Sequence, residues 1–123
     1  MSDISGLNEL VADLTAAPGK AQRKVDAVVK KGAVNVKNDW RQRASGLRHA
    51  PLYPNSITFS AGWKAGAYEA EIGPDKELPQ GPLGNLIELG SANNAPHGND
   101  IAARDAEAPR FEKAMGDLAD GLL

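Results

Sequence analysis

His49 and His97 are the only histidines of the 123-residue chain, and there is no cysteine. Disulfide scaffolds, thiolate zinc sites and cysteine nucleophiles are therefore excluded. Neither histidine has a second one at helical spacing, and neither stands in a hydrolase motif. His97-Gly98-Asn99-Asp100 offers a metal one imidazole and one carboxylate, where a stable site wants three or four ligands. The simpler reading is a surface loop whose Asp100 caps the helix that follows. Glu69, Glu71 and Glu88 are the carboxylates that an acid/base pair would draw on, and Glu69 and Glu71 point to the same side of a strand. An exposed acidic face explains them without catalysis. The glycines within residues 73–85 are not followed by Lys-Ser or Lys-Thr, so this segment is no P-loop. The pattern points to no enzyme, no metal and no cofactor.

The elements that position these residues follow from periodicity. Leu7, Leu10, Val11 and Leu14 form one helical stripe, with Ser5 as N-cap, and predict a helix over residues 5–16 inside an N-terminal helical segment, 1–19. Pro18-Gly19 breaks it. A long helix follows: Val25, Val28, Val29, Ala33, Val36, Trp40 and Ala44 give a slowly drifting stripe over 20–45, inside a basic segment assigned to this helix as 20–48. At ~1.5 Å per residue it would be nearly 40 Å long, more than a domain with a radius of gyration of ~14 Å needs to cover its own core. Pro51 and Pro54 predict an extended connection. Ile57, Phe59 and Ala61 alternate with Ser56, Thr58 and Ser60; Tyr68, Ala70 and Ile72 alternate with Glu69 and Glu71. These two strands, with a turn bracketed by Gly62 and Gly66, read as an antiparallel hairpin over 56–72.

Residues 73–100 read as a long loop interrupted by one short apolar helical turn, Leu83, Leu86, Ile87 and Leu89, which Gly90 stops. The last helical region, 101–123, centres on a helix over 109–120 with Pro109 at its first position and Phe111, Ala114, Met115, Leu118 and Leu122 on one face. The expected fold is α+β in a single domain, 1–123: long N-terminal helix, small antiparallel sheet with a central hairpin, long loop and C-terminal helix.

Charge is distributed unevenly along this order. Residues 20–48 hold nine Lys or Arg and two Asp, whereas 49–123 hold five basic and eleven acidic residues. The whole chain, with 14 basic and 16 acidic residues, is near neutral at −2, which fits neither a histone-like binder nor an acidic tail. One reading is complementary association, the basic helix of one copy meeting the acidic hairpin or C-terminal helix of the next; another is a solvated charged face. Lys20, Arg23, Lys24, Lys30, Lys31, Lys37, Arg41 and Arg43 also suit phosphate contacts, but no zinc module, helix-turn-helix spacing or aromatic-studded basic sheet accompanies them. Hydrophobic residues are 41% of the chain, yet 20 of them are alanine, and Leu, Ile, Val and Phe together number 25. So thin a core in so short a chain suggests that neighbouring subunits supply part of the stability. No apolar run approaches the ~20 residues that cross a bilayer, and no secretory signal is visible. A soluble chain made in a cytoplasm, without a membrane, is expected.

The order of motifs carries a resemblance. An N-terminal helical region and an Ile/Phe strand precede Tyr68-Glu69-Ala70-Glu71-Ile72-Gly73-Pro74, then Leu86-Ile87-Glu88-Leu89-Gly90-Ser91, a Pro-His pair at 96–97, and Pro109-Arg110-Phe111 with Ala114. Over about residues 20–120 this resembles the small neck or tail-completion (head–tail connector) proteins of long-tailed bacteriophages. There a strand ending in Ile/Val-Gly leads to an apolar-Glu-apolar-Gly-Ser/Thr element and a closing Pro-aromatic/Leu-x-x-Ala helix. The family often shows Thr-Gly before the first strand; Pro51-Leu52-Tyr53-Pro54-Asn55 stands here instead, leaving the start and register of that strand open.

The resemblance implies a virion protein at the head–tail junction, assembled in the host cytoplasm. It would be one subunit of a six- or twelve-fold homo-oligomeric ring that joins the head connector to the tail tube. Adjacent connector and tail-tube proteins would be its neighbours, and DNA would pass through without sequence-specific binding. The family has no catalytic residues to carry over. A tail terminator ring capping the tube is the alternative in the same class, and a nucleic-acid-binding regulator using the basic helix the alternative from another. Charge and resemblance together nominate Lys30, Lys37, Trp40, Arg41, Glu69, Glu71, Leu83, Leu86 and Glu88 as subunit or partner contacts, Trp40 being core or interface and Glu88 a contact or part of a helix end. Reversing two charges, Lys37→Glu with Arg41→Glu, is expected to impair the ring while leaving helical content intact.

Overall fold

Val25, Val29, Ala33, Val36, Trp40 and Ala44 recur every three or four residues, and all six are fully sealed from solvent. They form the buried stripe of the molecule's spine. The computed structural model describes residues 19–92 and 95–122; the helix expected over 5–16 lies outside them. The chain order is α1 (Gly19–Arg43), α2 (Tyr53–Ser56), β1 (Ile57–Lys64), β2 (Ala67–Pro74), a 3₁₀ turn (Gly81–Leu83), α3 (Gly84–Leu89) and α4 (Asn99–Leu122). This is the α+β arrangement that the periodicities predict: a long helix, a two-stranded antiparallel sheet and a C-terminal helix.

α1 packs against both strands and against α4. It stops at Arg43 rather than reaching 48, because Gly46 takes a left-handed backbone (φ +86°) that ends a helix at no steric cost. The connection after it is not extended. Tyr53 N donates to Ala50 O and Ser56 Oγ to Tyr53 O, closing the single-turn α2 with Pro54 near its start, where a missing N–H costs nothing.

β1 and β2 pair from Ile57↔Pro74 to Lys64↔Ala67, which fixes the register left open above. Opposite residues share a face. Ile57, Phe59, Ala61 and Trp63 therefore lie on the side of Tyr68, Ala70, Ile72 and Pro74, and Ser60 on the side of Glu69 and Glu71. The turn is Ala65-Gly66, both at positive φ as a two-residue hairpin of the primed kind requires. Gly62 is a strand residue opposite Glu69, not a turn residue.

The proline- and glycine-rich segment after β2 is a succession of tight turns. Asp75 N donates to Ser56 O, Leu78 N to Asp75 O, Gly81 N to Leu78 O and Leu83 N to Gln80 O. A Cβ on Gly81 would fall inside the van der Waals envelope of Asp75 O, so only glycine closes this turn. α3 then ends at Gly90, again at positive φ.

Pro109 does not begin the last helix: α4 starts at Asn99 and carries Pro109 inside it. Ala103 and Phe111 lie on either side of the proline and are both buried, as is Leu118. Continuous packing against α1 thus outweighs the ~3 kcal/mol that an interior proline costs a helix. Gly32 of α1 faces α4, where a side chain would press on Phe111.

Candidate functional site

α3 holds one charge among three apolar neighbours, Leu86-Ile87-Glu88-Leu89, and a helix of six residues must turn these in different directions. Glu88 faces inward and is 2% exposed. Its Oε2 accepts hydrogen bonds from Trp40 Nε1 (2.9 Å) and the Tyr53 hydroxyl (2.6 Å), and its Oε1 from Asn99 N (2.7 Å). Asn99 Nδ2 stands a further 3.4 Å from Oε2. One carboxylate thus ties α3 to α1, α2 and the start of α4. A buried carboxylate is tolerable when several donors replace its water. Burial, followed by the hydrogen bond to Glu88, drives the Tyr53 hydroxyl far above its ordinary pKa, so it stays a donor.

Asp100, in the first turn of α4, is also buried. Burial, and secondarily the nearby Glu88 charge, raise its pKa. Its Oδ1 finds no hydrogen-bond partner among the described residues. Backbone bonds continue the joint: His97 N donates to Ile87 O and Gly98 N to Glu88 O.

With Glu88 fixed inward, Leu86 and Leu89 are forced outward, each 46% exposed, and Ile101 in the first turn of α4 is 51% exposed. A groove of about 350 Å³ opens beside Leu86. Half-buried Leu47, Leu83 and Ile87 lie in it, and exposed Arg48, His49 and His97 stand at its edge. The arrangement offers an apolar seat with a basic margin. Among the described residues no three His, Cys, Asp or Glu gather to hold a metal, and no helix is long and apolar enough to cross a membrane.

The residues nominated from the sequence fall into four groups. Trp40 and Glu88 are brought together by their hydrogen bond, but both are interior, so any influence on a partner is indirect. The nominated basic residues of α1 are engaged within the chain. Lys30 Nζ stands 3.0 Å from Asp26, Lys37 Nζ 5.8 Å from the centre of the Phe59 ring, and Arg41 Nε donates to Ile57 O at 2.8 Å. Asp26 is held below the ordinary carboxylate range first by the Tyr68 hydroxyl and then by Lys30. Arg41 thereby anchors the start of β1, so reversing it disturbs the sheet as well as a surface charge. Glu69 and Glu71 do share the outer face of β2, Glu69 3.7 Å from Lys64 and Glu71 exposed. Leu83 and Leu86 line the same groove.

Sequence reasoning missed the groove's basic margin, the donors Tyr53 and Asn99, and Trp63, which is 43% exposed at the closed end of the hairpin. A lone glutamate inside an apolar run was the available signal for Glu88. Trp63 gave none, because it continues the inward alternation of Ile57, Phe59 and Ala61.

Comparison with protein-family models, with curated proteins and with solved structures gives no match.

Proposed function

We propose that this chain is a structural subunit that assembles with its own copies into a ring, at the neck of a long-tailed phage, between head connector and tail tube. The observation that carries the assembly reading is the division of labour in α3. Glu88 is fastened inward by three short hydrogen bonds while Leu86 and Leu89 are presented to solvent, Leu86 at the wall of an apolar groove. Exposed leucines on a rigidly held element fit a contact surface, since clustered apolar exposure marks places where another surface is meant to sit. The motif order described above supports placement in the virion, in contact with connector and tail-tube proteins, with DNA passing through the ring.

Light scattering across a concentration series tests assembly. The wild type should give a defined oligomer, and Leu86→Glu with Leu89→Glu should shift it towards monomer without loss of helix content. A monomer at every concentration, with or without salt, overturns self-assembly. Among the described residues, the exposed cations Arg23, Lys24 and Lys31 of α1 give the regulator reading its footing. Duplex DNA bound tightly at physiological salt, with a steep fall as salt rises, would favour that reading over the ring.

A further inference from the structure

Trp63 and the groove beside α3 are complementary features that one copy cannot bring together. Trp63 meets Tyr68 edge-on, with ring centroids 5.2 Å apart, at the closed end of the hairpin. The Tyr68 hydroxyl lies against Asp26 near the start of α1, which places that end of the hairpin beside the first turns of the helix. The groove is built from residues 47–50, just past the other end of α1, and from the 3₁₀ turn and α3. From Asp26 to Arg43 is about 25 Å along a helix axis at ~1.5 Å per residue. A large aromatic is therefore exposed near one end of the spine, and an apolar seat lies at the other.

We propose that Trp63 of one copy enters the groove of the next, its indole resting on Leu47, Leu83 and Ile87. The inference rests on the self-assembly reading above and names the contact. Size fits: a seat of about 350 Å³ is at the lower end of the ~300–1,000 Å³ range of well-formed pockets. Charge fits as well. Glu69 and Glu71 stand on the outer face of the hairpin, opposite the face that carries Trp63, and all three border one shallow depression near its closed end. The facing charge at the groove's margin is Arg48. Among the described residues Glu71 and Arg48 enter no ion pair within the chain, and both are exposed. An arginine beside an indole adds cation–π attraction. Because the two halves of the contact are different surfaces, joining them end to end is heterologous, and such a contact closes into a ring when the rotation permits.

Two measurements test this. Trp40 is fully buried and Trp63 is exposed, so a water-soluble quencher such as iodide reads Trp63 in the monomer. As protein concentration rises through the assembly range seen by light scattering, the quenchable fraction should vanish. Trp63→Ala should raise the concentration needed for assembly by roughly 30-fold, the change typical of a central aromatic anchor. Glu71→Arg and Arg48→Glu should each weaken assembly, and the two together should restore it. Assembly with Trp63 still quenchable overturns the contact and leaves self-assembly standing. A chain monomeric throughout overturns both. A species that stops at two copies overturns end-to-end succession, and a double variant no better than either single one overturns the charge pairing.

Discussion

Glu88→Ala should be among the costliest single substitutions in this chain, and the structure sets its size. Three buried donors, Trp40 Nε1, the Tyr53 hydroxyl and Asn99 N, lose their acceptor at once. Each buried donor left without a partner costs about 1–3 kcal/mol. The full sum is not realised, since water can enter the space vacated and Asp100 is freed from a neighbouring negative charge. The expected loss is about 3–5 kcal/mol, as when a buried charge's partnership is broken. Against a typical domain stability of about 5–15 kcal/mol, that leaves the fold marginal. Glu88→Gln separates charge from shape. Oε1 and Oε2 now face donors on opposite sides, so wherever the new amide nitrogen is placed it meets a donor. The expected loss is about 1.5–3 kcal/mol. Urea unfolding followed by fluorescence of buried Trp40 measures both, and equal slopes would show that stability alone has changed. A Glu88→Gln variant within about 0.5 kcal/mol of wild type, the range of an ordinary surface change, would refute the account of Glu88 as the joint of four helices.

Three further expectations follow from single features. Asp100 has a folded pKa raised above its ordinary 3.8; its favourable contribution is complete below that value and is lost as pH rises through the folded pKa. The stability of Asp100→Asn relative to wild type should therefore grow as pH rises above about 4, and a pH-independent difference in urea midpoints would contradict this. Gly81→Ala should destabilise by about 1–3 kcal/mol through overpacking against Asp75 O, whereas Gly62→Ala, with open space around it, should stay within about 0.5 kcal/mol; thermal melts of the pair decide it. Pro109→Ala restores an N–H inside α4 and should stabilise by about 1–3 kcal/mol; a lower melting temperature would show that the proline shapes the packing on α1.

What the sequence made legible was whatever a period records. The stripe from Val25 to Ala44 and the alternations around Ile57–Ala61 and Tyr68–Ile72 revealed α1 and both strands, because one face of each is buried, though not where α1 stops or where the hairpin turns. Gly90 as the stop of α3 was readable for the same local reason. Pro109 misled, since its local cost is real and only the packing of Ala103, Phe111 and Leu118 on α1 overrides it. Pro51 and Pro54 misled similarly, because a proline near the start of a turn of helix loses nothing. The candidate site was legible only in fragments. Leu83, Leu86 and Glu88 were nominated, but Glu88's direction depends on donors 48, 35 and 11 residues away, and no local pattern records such distances. Lys37 and Arg41 looked like free surface charge for the same reason: their partners, the Phe59 ring and Ile57 O, come from another element.

The joint at Glu88 also orders events in time. Its three donors come from segments far apart along the polypeptide, so the acid cannot shed its hydration shell until all of them have arrived; before that, hiding it would be prohibitively unfavourable. Long-range closures of this kind slow a folding reaction. Burial of the glutamate therefore waits on the meeting of α1, α2 and the start of α4 with α3. The outward leucines of α3 thus take up their fixed directions only when Trp40, Tyr53 and Asn99 have all met the glutamate.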